Sequence, residues 1–160
     1  MHRLIAPILL FVAACAPITG YRDSAARITS IALFDPALFA GDWVVVAAYD
    51  PALCGVQADM GPKGFDWIER SCTGGETRSM APVTGPGRFT PKGGAHKGRE
   101  HWVMWVDQTY RTAVIGAVDG SFGMVLNRDR HIPPDRMQAA REILDWNGYD
   151  LDPLVVVRAK

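Results

Sequence analysis

Asp119-Gly120 stands between two apolar runs, "RTAVIGAV" and "SFGMVLNRD". Between two apolar runs that dipeptide is a good short-range signal for a hairpin turn. A third run, "EHWVMWVD", precedes them across the turn at residues 108–110. Three consecutive strands joined by short turns commit this half of the chain to an antiparallel sheet.

Other segments extend the sheet. "FDPALFAGDWVVVAAYDP" reads as a short helical turn, a glycine, then a β-branched strand over residues 43–49. Residues 53–64 carry glycine and proline and read as loop. "GFDWIERSC" reads as a strand with Phe65, Trp67 and Glu69 on one face. The stretch 74–94 has turn residues every few positions and predicts two short strands, near residues 78–83 and 87–91. After the hairpin comes one helix. Pro133 and Pro134 suit its first turn, Met137, Ala140, Ile143 and Leu144 form its apolar stripe, and Asn147-Gly148 stops it. "PLVVVR" gives a last short strand. Many antiparallel strands followed by one amphipathic helix predict an all-β domain, an antiparallel up-and-down barrel of about eight strands with the helix packed outside.

The N-terminus has a different character. "LLFVAACAP" ends an apolar run of about eleven residues, where a bilayer-spanning helix needs roughly 20. A short charged start, an apolar run and small residues are the layout of a secretory signal. Val12-Ala13-Ala14-Cys15 resembles a bacterial lipobox. That resemblance implies cleavage before Cys15 and lipidation of its thiol, so that residues 1–14 are a signal peptide and 15–33 a lipidated tether. Ala16 after the cysteine implies the outer membrane, with the domain facing the periplasm. In such an oxidising compartment the other two cysteines, Cys54 and Cys72, read as a disulfide. A reactive thiol is the alternative, although nothing in the sequence brings Cys54 to His101 and Asp107.

The strand blocks carry a second resemblance. Gly41-Asp42-Trp43, "WVDQTYRTAVIG", and "FGMVLNRDRHIPPDRMQAAREILDWNGYDLDPLVVV" stand in order over residues 34–158 and resemble the lipocalins, most closely the bacterial outer-membrane lipocalin lipoproteins. Thr109 departs from the pattern, which places an acid directly before the tyrosine; here the nearest acid is Asp107. The distance from Trp43 to Tyr110 is also short for the pattern, and the deficit falls between residues 72 and 98.

The resemblance implies that Gly41, Trp43, Tyr110 and Arg128 close one end of the barrel, with Arg128 stacked on Trp43. Counting back by twos from Arg128 places Leu126, Met124 and Phe122 on the inner face. Analogy adds Ile115, Trp105, Val103 and His101. A lumen of these residues is apolar with one polar group, His101, towards the mouth. It suits a fatty acid or lysophospholipid, for envelope lipid storage, transport or repair. The alternative is a barrel filled by these side chains, in an envelope structural or assembly lipoprotein that binds a protein partner.

Other functions have little support in the sequence. Seventeen basic residues balance 17 acidic ones without a basic run, which argues against nucleic acid. His96, His101 and His131 lack metal-ligand spacing, so neither a metal nor a cofactor is expected. No nucleophile elbow, P-loop or dinucleotide fingerprint is present, and no enzymatic step is expected.

Overall fold

The computed structural model describes residues 20–158. The lipobox and Cys15 lie outside the described residues. Nine antiparallel strands form a nearly closed barrel in the order β4-β3-β2-β1-β9-β8-β7-β6-β5. The main strands are β1 (Gly41–Ala48), β2 (Leu53–Gly61), β3 (Gly64–Ser71), β7 (His101–Val106), β8 (Thr112–Ala117) and β9 (Gly123–Asn127). The shorter β4 (Glu76–Ala81), β5 (Val83–Gly85) and β6 (Arg88–Phe89) fill the irregular middle. There the Thr90 N–H donates to Pro82 O at 3.0 Å and Lys92 N–H to Met80 O at 2.9 Å, drawing the barrel's two edges together. A two-residue strand, β10 (Val155–Val156), pairs with β1 beyond the end of β2.

One segment corrects the sequence reading. The expected loop after residue 53 is a nine-residue strand, β2, paired with β3 along its whole length. Gly55, Gly61 and Pro62 gave it the look of a loop, but the inward positions Leu53, Val56 and Ala58 are all buried. Inward side chains decide a strand here, because each strand needs only one apolar face. Gly64, at φ 133°, completes the tight turn into β3, where a Cβ would overlap the Ala81 carbonyl.

Two apolar layers result. The inner one fills the barrel; the outer one lies between the barrel wall and helix α2 (Pro134–Trp146). Ala140 and Leu144 are fully buried against Val46, Val114 and Val125, so the predicted stripe is the face that packs. The helix ends at Asn147, and Gly148 takes φ 84°. Cys54 and Cys72 are disulfide-bonded, tying the start of β2 to the end of β3.

Residues 20–33, the described part of the expected tether, are docked on the barrel. Tyr21 N–H donates to Gly120 O at 2.8 Å in the β8–β9 turn. The Arg22 side chain is buried and donates to Asn147 O at 2.6 Å, to Val118 O at 2.8 Å and to Ala26 O. Further along, Thr29 N–H donates to the Asn147 side chain at 2.8 Å and Ile31 N–H to Val103 O at 2.8 Å. The strap thus runs from the end of the barrel bearing the β8–β9 turn to helix α1 (Pro36–Phe39) at the opposite end.

Candidate functional site

The α1 end is closed by backbone as much as by side chains. Asp35 caps α1, accepting from Ala37 N–H at 2.8 Å and Leu38 N–H at 3.3 Å. Arg128 reaches back over this end. Its guanidinium carbon lies 3.6 Å from the Trp43 ring centroid, and its nitrogens donate to the carbonyls of Leu38, Ala40, Asp42 and Tyr110 at 2.8–3.1 Å. Gly41, at φ 100°, passes beneath it; a Cβ there would sit 3.3 Å from Nη1. Tyr110 takes φ 53° in the turn before β8, and its hydroxyl accepts the Asp35 N–H at 2.8 Å. All four expected closure residues therefore meet at this end, where none faces the lumen mouth.

The expected ligand set divides. His101, Val103, Ile115, Phe122, Met124 and Leu126 are buried within the inner layer or against it. Trp105 is not inside: it is half-exposed and packs with the outer layer. A register shift between Val103 and Trp105 adds one residue, Met104, to β7 relative to β8. That bulge turns Trp105 outward and Val106 inward, as one extra residue must.

The lumen is full. Rings pack one against the next, tilted or edge to face, from the closed end to the mouth: Phe39 against Trp43 (centroids 5.1 Å), Phe39 against Phe65 (5.8 Å), Phe65 against Phe89 (5.2 Å), Phe89 against His101 (5.0 Å), and His101 against Phe122 (4.5 Å). The void left near the mouth measures about 10 Å³, between Val45, Ala48, Asp50, Leu53, His96, Phe122 and Met124. That is room for about one water. A much larger hollow, about 570 Å³, is an open groove outside the barrel between the strap and residues 98–100.

At the mouth the lining becomes polar. Residues 90–100, between β6 and β7, fold across the opening and put His96 into it, 4.2 Å from Phe122 between ring centroids. The inward face of β3 brings Glu69 from below, and the first residue of β7 is His101. All three are buried. Glu69 accepts from the Trp67 indole N–H at 3.2 Å and from the Ala95 N–H at 2.6 Å, and lies 3.7 Å from His96 Nδ1. Burial opposes its charge, but His96 and these two donors outweigh that and hold its carboxyl below the usual range. Burial pushes the His101 imidazole down to about 3, so it is neutral at neutral pH. Gly94, at φ 87°, lies against the carboxylate, and any Cβ there would overlap it.

The sequence reading placed Glu69 on the same face of its strand as Phe65 and Trp67 but did not join it to His96 and His101. The meeting depends on an irregular loop crossing the mouth, which has no periodic signal. The signal that was available was the pair of inward polar residues, Glu69 and His101, in strands whose other inward residues are apolar.

A family model described as "Lipocalin-like domain" matches residues 88–159. Among solved structures, that of the siderocalin Ex-FABP, a protein described as functioning through dual ligand specificities, superposes with a TM-score of 0.57. It is 14% identical, and the match covers 77% of this chain and 91% of that one. At this identity the likeness is one of fold, and the fold is that of the lipocalins. No curated protein sequence matches the chain.

Proposed function

We propose that this protein is an envelope lipocalin, anchored through a lipid on Cys15 in the outer membrane and facing the periplasm, that takes up a fatty acid or lysophospholipid at the barrel mouth. Lipocalin-like barrels generally bind small hydrophobic ligands, and no chemical step is assigned to this one. The observation carrying the reading is the mouth itself. A loop rich in glycine holds the His96 imidazole in an opening whose wall is Val45, Ala48, Leu53, Phe122 and Met124, with Asp50 at its edge. The closed form has no space for an alkyl tail, so uptake requires residues 90–100 to swing out, vacating the volume of His96, and the inner rings behind it, Phe122 and Phe89 first, to repack. Past Thr90 the loop is tied to the barrel wall through Lys92 N–H to Met80 O, the Ser79 hydroxyl to Gly93 O and Ala95 N–H to the Glu69 carboxylate; its remaining backbone bonds are internal. His101, beneath it, then meets the head group.

The strap supports the same orientation. Gly20 lies at the mouth end, against Asp119 and Gly120. From Cys15 to Gly20 the chain spans at most about 18 Å when extended, so a lipid on Cys15 holds the mouth near the bilayer.

Titration of a fluorescent fatty acid into the mature protein, with native mass spectrometry of the protein purified from cells, tests the reading. A one-to-one complex is expected, with tighter binding when residues 92–97 are replaced by a short Gly-Ser link. If neither form binds palmitate or lysophosphatidylcholine, lipid carriage is excluded. The filled lumen favours the second reading in that case: a packed barrel that acts through its outer face on a protein partner of the envelope.

A further inference from the structure

We infer that Glu69, His96 and His101 form a binding site for a divalent transition-metal ion at the mouth of the barrel. One potential ligand atom from each lies within 4.8 Å of the others, and all three side chains are buried. Tetrahedral bonds of about 2.0–2.1 Å place neighbouring ligand atoms about 3.3 Å apart, so the cluster needs only small side-chain movements to close on an ion.

The hydrogen bonding specifies the donors. His101 Nδ1 lies 2.9 Å from the Arg99 carbonyl, which can only accept. The ring proton is therefore on Nδ1, and the lone pair is on Nε2, which has no hydrogen-bond partner although it is buried. This is the arrangement in which a metal-bound histidine is commonly oriented, its second nitrogen donating to a backbone carbonyl. His96 Nδ1 is likewise buried without a partner. His101 Nε2 has no partner, and His96 Nδ1 has only the Glu69 carboxylate at 3.7 Å, beyond hydrogen-bond distance; leaving both nitrogens so in a buried site is costly unless something binds them. Glu69 supplies the negative charge, and among the described residues no lysine or arginine lies within ion-pair distance of it; His96 is the group facing it there.

The donor set also narrows the ion. Two imidazole nitrogens and one carboxylate suit zinc or another first-row divalent ion and disfavour calcium and magnesium, which prefer all-oxygen shells. The adjoining void, bordered by His96, has room for about one water as a fourth ligand. Because His96 is on the mouth loop while Glu69 and His101 are on the wall, an ion here fastens the loop to the barrel.

The test uses metal alone and no lipid, so its outcome is independent of the amphiphile reading. Zinc is titrated into the full mature chain, freed of metal, in competition with a chromophoric chelator; cobalt is added separately for its visible spectrum. One equivalent should bind, with a tetrahedral or five-coordinate cobalt spectrum and a raised Tm. His96→Gln is on the loop and spares the core, and Glu69→Gln keeps the carboxyl shape. Each should weaken zinc by about 100-fold or more, since even an outer-shell loss costs 10–100-fold. His131→Gln should change nothing. The proposal is overturned if zinc binds no tighter than millimolar, or if His96→Gln and Glu69→Gln leave its affinity unchanged.

Discussion

Arg128 and Trp43 are locked face to face, the guanidinium carbon 3.6 Å from the indole centroid, while the same guanidinium gathers the carbonyls that end α1. The indole N–H in turn donates to Phe39 O at 2.9 Å. One cation therefore joins β9, β1 and α1 in a single closure. Replacing Arg128 with alanine removes a cation–π contact and leaves several carbonyls without a donor. The expected loss is about 2–4 kcal/mol in urea unfolding. Arg128→Lys should recover only a minor part, because a point-like ammonium cannot fan out to four carbonyls.

The Cys54–Cys72 disulfide closes a loop of sequence separation 18 containing the β2–β3 hairpin. In the chain-entropy model such a closure is worth about 3 kcal/mol. Mild reduction, or Cys54→Ala with Cys72→Ala, should lower Tm clearly while far-UV circular dichroism keeps its β signature. An unchanged Tm would mean that the paired strands already supply the constraint.

Tyr149 anchors the segment after α2 to the β8–β9 hairpin. Its hydroxyl accepts from Ala117 N–H and lies 2.9 Å from both the Ala117 and Phe122 carbonyls. Gly116 makes room for it; a Cβ there would overlap the hydroxyl. Tyr149→Phe should cost about 1–3 kcal/mol, the usual consequence of leaving a buried partner unsatisfied. Gly116→Ala should cost at least as much, and combining it with Tyr149→Ala should cost less than the sum of the two. Double-mutant denaturation curves read this coupling directly.

The sequence was legible where period and turn chemistry agreed. The β8–β9 hairpin follows from Asp119-Gly120, and α2 from Met137, Ala140 and Leu144 at helical spacing. Legibility failed where a single residue changes the phase: the Met104 bulge sends Trp105 outward, and no local pattern announces a bulge. It failed again at β2, where two glycines and the proline just beyond its end hid three inward apolar residues. The state of the lumen was beyond any one segment. Phe39 comes from α1, Phe65 from β3 and Phe89 from β6, and only their convergence determines whether space is left for a ligand. The polar cluster is of the same kind, since His96 reaches Glu69 through the path of a loop rather than through spacing.

Asp107 makes the turn before β8 sensitive to acid. Burial raises its pKa somewhat, but the Thr109 hydroxyl and the N–H groups of Thr112, Arg111 and Thr109 donate to the carboxylate, and together they hold it below the usual value. A carboxyl whose pKa is lower folded than unfolded stabilises the fold fully above the unfolded value, near 3.9, and loses that contribution as pH falls through the lower folded value. Between those two values the unfolded chain binds more protons than the folded one, so stability must fall with pH there. The urea midpoint should therefore be flat from pH 7 to about 5 as far as this group is concerned, and drop below about pH 4. Asp107→Asn should lower stability at pH 7 and flatten the acid limb, while Asp119 and Glu100, also held low, preserve part of the slope. An acid limb as steep in Asp107→Asn as in the parent would show that the turn's hydrogen bonds do not depend on the charge of Asp107.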